Sequence, residues 1–85
     1  MHNPDVTVDV RGLEPPQPLV RILEMLATLT GDAGLHAHTD RRPMHLYPQL
    51  ELRGFVGETE EQTDGSFITH IRRPEPRRSE GQHPG

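Results

Sequence analysis

Asp9-Val10-Arg11-Gly12-Leu13-Glu14-Pro15-Pro16-Gln17-Pro18 is the stretch whose reading decides the fold. Upstream of it, Val6, Val8 and Val10 alternate with Thr7 and Asp9, so Asp5 to Val10 reads as a half-buried strand of period two. Downstream, Leu19, Ile22, Leu23, Leu26 and Leu29 recur at intervals of three and four, the apolar stripe of an amphipathic helix. Between them, Arg11 to Glu14 leaves the strand, with Gly12 free to take a positive φ. Pro15, Pro16 and Pro18 then open the helix, where a missing N–H is tolerated because it has no partner in the first turn. The glycines of Gly31-Asp32-Ala33-Gly34 are expected to end it.

Leu35 to Thr39 reads as a second strand, with Leu35 and Ala37 inward and His36 and His38 outward. Asp40-Arg41-Arg42-Pro43 is a loop. A second helix is expected from Met44 to Arg53, burying Leu46, Tyr47 and Leu50, and Pro48 confines its start to about one turn upstream. Phe55 to Glu61 is a third strand, Thr63-Asp64-Gly65-Ser66 a hairpin turn, and Phe67 to Arg72 a fourth strand with Phe67 and Ile71 inward. The predicted architecture is an α/β (α+β) two-layer sandwich, β-α-β-α-β-β, with both helices on one face of the sheet and the other face open. Residues 1–4 are expected to be loose, residues 5–73 to form the domain, and the Pro- and Arg-rich residues 74–85 to be disordered.

Composition removes several functions. The 85 residues hold no cysteine, so disulfides, thiolate nucleophiles, persulfide carriage and Cys-based metal sites are all absent. Residues 1–71 carry five Arg against eleven acids, an acidic body unlike the basic face of a nucleic-acid binder. Residues 72–85 carry four Arg against two acids and read as a solvated tail. No apolar run approaches the ~20 residues of a membrane span, and a signal-peptide pattern is lacking, which makes the cytoplasm the default compartment.

Arg11-Gly12-Leu13 followed by Pro16 and Pro18 resembles the TusA/SirA-like sulfur-carrier superfamily, whose hallmark is Arg-Gly-Leu and then Cys-Pro-x-Pro at the first helix. Asp40, Tyr47-Pro48 and Gly54 extend the likeness over about residues 5 to 72. The Arg-Gly-Leu-Glu-Pro-Pro and Arg-Arg-Pro…Leu-Tyr-Pro motifs look more closely like the superfamily's uncharacterised cysteine-less branch. The resemblance implies a mixed four-stranded sheet of order one, two, four, three under two helices. It does not imply sulfur transfer, because Pro15 stands where the carrier's cysteine would be and cannot hold a thiolate. Carriers of this superfamily dock to other proteins, so the resemblance leaves a non-enzymatic interaction or regulatory module, with Arg11, Glu14, Pro15, Pro16 and Gln17 as its docking corner. It also points to hemerythrin-like or other metalloproteins as partners.

The alternative is a metal or haem site. His36 and His38 share a strand face, and under the implied strand order His70 and Asp9 reach the same open face. Neutral imidazoles with a carboxylate suit zinc, nickel, copper or iron. The plainer reading is a polar face that meets solvent, a partner or a second copy of the chain. Glu58, Glu60 and Glu61 read as edge-strand charges that block unwanted pairing rather than as an acid/base pair. No phosphate loop, nucleophile elbow or cofactor motif is present, so no catalytic residue and no cofactor are expected on the primary reading.

Overall fold

Alternation places Val8 and Val10 inside and Thr7 and Asp9 outside, and the first strand forms as the pattern dictates, as β1 (Val6–Asp9). The structure is a computed structural model and describes residues 5–74. The expectations for residues 1–4 and for the tail beyond Pro74 fall outside the described residues.

The chain continues through α1 (Gln17–Leu26), β2 (Leu35–Thr39), α2 (Leu46–Leu52), β3 (Val56–Glu61) and β4 (Phe67–Arg72). The four strands make one mixed sheet of order β1-β2-β4-β3, with β1 parallel to β2 and the other pairs antiparallel. Ile22 and Leu26 of α1 and Leu46 and Leu50 of α2 join Val8, Val10, Leu35, Ala37 and Ile71 of the strands in a single core. Both helices therefore cover one face, and the expected two-layer α+β architecture is the one observed.

The helix boundaries differ from the sequence expectation for local reasons. α1 stops at Leu26 rather than near Gly31, because the chain tightens into turns in which Thr28 and Leu29 donate to Met25 and Leu26. The Thr28 hydroxyl reinforces this by donating to the same Met25 carbonyl at 2.7 Å. Leu29 stays buried although it has left the helix, so the apolar stripe outlasts the element that suggested it. At the other helix, Gly54 takes a φ of +79° just past the end. Its N–H reaches Glu51 O, and that of Phe55 reaches Leu50 O, so two orphan carbonyls are capped.

Tyr47 corrects the expected buried side of α2. It is 36% exposed, and its hydroxyl reaches across to Thr59 of β3. Thr59 in turn bonds the hydroxyl of Thr69, which is fully buried. This polar chain on the covered face of the sheet was not visible in the sequence. Its geometry keeps the tyrosine ring at the rim of the core, where the phenol finds a partner. Next to it, Gly57 lets α2 approach β3 closely: a Cβ there would lie 2.8 Å from Leu50 Cδ1.

Candidate functional site

Two surfaces hold the residues that the sequence singled out. The first is the corner between the β1–α1 turn and the β2–α2 loop. The turn is shaped by Asp9, whose carboxylate accepts from the Arg11 backbone N–H at 3.1 Å and from the guanidinium at 2.9 and 2.8 Å. Gly12, at φ +85°, then donates its N–H to Asp40 Oδ2 at 2.6 Å, tying the turn to the far loop. In that loop the Thr39 hydroxyl donates to Arg41 O at 2.7 Å.

Between these two segments lies a cavity of about 480 Å³. Its walls are largely apolar: Leu13, Pro15, Pro16 and Pro18 on one side, and Met44 and Leu46 on the other. Met44 is 64% exposed and Leu13 is 43% exposed. Glu14, Asp40, Arg41, Arg42 and His45 supply the polar part of the lining. Among the described residues neither Arg41 nor Arg42 enters an ion pair, and Arg42 rests over the Phe67 ring, 4.9 Å from its centre.

Of the expected docking corner, Glu14, Pro15 and Pro16 line the cavity, whereas Arg11 and Gln17 do not. Arg11 turns toward Asp9 and Asp64, the latter 3.9 Å away. Gln17 begins α1 and donates its N–H to Glu14 O at 2.8 Å. That donation and the three prolines leave the helix start poor in donors for an anion. Arg41 and Arg42, read as plain loop, and Met44, read as the start of the second helix, are cavity residues that the sequence did not single out. The exposed methionine beside an Arg pair was the signal.

The second surface is the open sheet face. Asp9 and His38 are neighbours in register there, as are His36 and His70. The four residues expected to act together divide into two groups. Asp9 is held by Arg11, and its carboxyl stays well below the usual carboxylate range because of the guanidinium and backbone donors. His38 Nε2 meets Ser66 Oγ at 2.7 Å, and that hydroxyl donates to Asp64 at 2.6 Å. The Ser66 hydroxyl and N–H, with Arg11 beyond them, push the Asp64 carboxyl down as well.

His36 and His70 form the other group. Their Nδ1 atoms face each other at 2.8 Å with the rings nearly perpendicular. On the outer sides, His36 Nε2 meets Asp5 Oδ2 at 3.1 Å and His70 Nε2 meets Glu60 Oε1 at 3.3 Å. Asp5 is itself fixed by the Gly34 N–H at 2.8 Å. Neither Asp5 nor Glu60 was expected at the site. Among the described residues, no group of three or more His, Asp or Glu side chains is gathered as a metal cluster. No helix among them is long and apolar enough to cross a membrane.

The profile of a family described as "Uncharacterized conserved protein (DUF2249)" matches residues 7–73, nearly the whole described domain. The chain belongs to the DUF2249 family. This DUF2249 domain is also similar to the crystal structure of a SirA-like protein from Desulfitobacterium hafniense, with a TM-score of 0.73 and 25% identity. That match covers 82% of this chain and 99% of the other. The SirA/TusA-like fold inferred from the Arg-Gly-Leu and Pro-x-Pro residues is therefore the fold of this DUF2249 domain. No functionally curated protein matches the chain. Pro15 and Pro16 precede the helix at the corner, and the 85 residues supply no thiol there.

Proposed function

We propose that this DUF2249 domain works as a non-enzymatic interaction module that takes a segment of another protein into the corner cavity. One observation carries the reading: an open, largely apolar cavity of about 480 Å³ whose exposed walls include Leu13 and Met44 and whose lining includes Arg41 and Arg42. Exposed apolar surface framed by charge is the composition of a contact site. Three prolines stiffen one wall, so little conformational freedom is lost when a partner settles. The matching segment offers an apolar side chain for the cavity and a carboxylate for Arg41. Glu14, also in the lining, disfavours the reverse orientation.

The experiment is capture by the immobilised domain, with hemerythrin-like metalloproteins as the first partners tried. Met44→Glu places a charge in the apolar wall, while Glu58→Arg alters only the open face and serves as control. Binding that is lost with Met44→Glu and kept with Glu58→Arg supports the corner. Binding unaffected by Met44→Glu, in a variant with an unchanged amide spectrum, removes it.

A further inference from the structure

The geometry of His36 and His70 does not depend on the docking reading, and it carries a different conclusion. An ionised carboxylate only accepts hydrogen bonds. The Nε2 of each ring, set against Asp5 and Glu60, is therefore the donating nitrogen. That assignment leaves both Nδ1 atoms with lone pairs, aimed at one another 2.8 Å apart. Two facing lone pairs repel unless a cation lies between them.

A carboxylate behind each imidazole is the arrangement that orients metal-ligating histidines and raises their basicity. We propose that His36 Nδ1 and His70 Nδ1 form a two-nitrogen site for a divalent transition-metal cation of the zinc class, with Asp5 and Glu60 as the supporting carboxylates. Two further observations favour such an ion over a proton alone. Asp5 and Glu60 flank the pair and Glu58 is directly opposite His70 in register, whereas of the arginines on the same face Arg11 is already paired with Asp9 and Arg72 lies two residues along β4. A doubly charged ion gains twice as much from that field as a singly charged one. The rings are also partly open to water, with side-chain exposures of 35% and 45%, so water can complete the coordination. Zinc–nitrogen bonds of about 2.0–2.1 Å in a tetrahedron set the two nitrogens about 3.3 Å apart. The rings reach that separation by parting about half an ångström on an exposed face, a change within ordinary side-chain freedom.

The test is a zinc chloride titration of the nitrogen-15-labelled chain, followed through the histidine ring nitrogens and the backbone amides. The expected result is saturation at one zinc per chain, with the Nδ1 signals of His36 and His70 moving together. His36→Gln and His70→Gln each weaken uptake at least tenfold, and Asp5→Asn weakens it by about tenfold through lost orientation. His38→Gln leaves it unchanged. If the two ring signals do not respond to zinc, only a proton lies between the nitrogens and the proposal fails. Uptake that survives His36→Gln undiminished places the metal elsewhere and is equally fatal. If a glutamine variant does not fold, the wild-type ring signals decide alone.

Discussion

The carboxylate of Asp40 accepts the backbone N–H of Gly12 at 2.6 Å, joining residues 28 positions apart in the chain. The bond ties together the two segments that wall the corner cavity, since Gly12 and Asp40 both line it. An exposed hydrogen bond to a charged group contributes about 1 kcal/mol. Asp40→Ala is expected to lower stability by about that amount in urea unfolding and to speed amide exchange at Gly12. Unchanged exchange at Gly12 would mean that the cavity walls are held by something else.

The buried hydroxyl chain predicts an asymmetry between two threonines. Thr59 is the partner that satisfies Thr69, whose side chain has no access to water. Thr59→Val strands a buried hydroxyl, at a cost of about 1–3 kcal/mol. Thr69→Val removes that hydroxyl and leaves Thr59 still bonded to Tyr47, so its cost stays below about 1 kcal/mol. Chemical denaturation of the two variants side by side checks the order, and equal values would refute it.

Gly57→Ala tests how closely α2 lies on β3. The added Cβ would meet Leu50 Cδ1 at 2.8 Å and Thr69 Cγ2 at 3.4 Å. Leu50 is itself packed in the core and has little room to yield. A loss of about 1–3 kcal/mol is expected, with amide shift changes centred on Leu50 and Thr69. A neutral substitution would show the packing to be looser than this.

Acid sensitivity follows from Asp9 and Asp64, both depressed in the folded protein. A depressed carboxyl adds stability above its unfolded pKa of ~3.9 and loses it as pH falls toward its folded value. Stability is expected to fall on acidification from about pH 4 downward. Asp9→Asn should flatten that limb, and added salt should do so in part because the pair is exposed. Urea midpoints between about pH 2 and pH 6 measure it, and an unaltered limb in Asp9→Asn would exclude Asp9 as its source.

Much of this was legible from residue pattern alone. Alternation at Val6, Val8 and Val10 and the Asp64-Gly65 turn placed the strands, and β4 (Phe67–Arg72) matches its expected bounds. That His36 and His70 share the open face was legible too, from period two and the strand order the resemblance implies, whereas their direct pairing depends on the register of β2 against β4. The rest depended on side-chain competition. Asp9 and His38 lie on the same face, yet Arg11 and Ser66 engage them first. Asp5 and Glu60 joined the histidines through reach across strands, which no spacing rule encodes. Tyr47 fitted an apolar stripe by position, but its hydroxyl drew it to the rim.

The sheet order carries a consequence for how the molecule holds together. β1, α1 and β2 form one continuous half of the chain, and α2, β3 and β4 form the other. The β2–β4 ladder is the seam along which the halves are sewn into one sheet. His36 and His70 face each other one rung from the end of that seam, one from each half. Whatever occupies the space between their rings adds a side-chain clasp to the backbone ladder and shared core that already join the two halves.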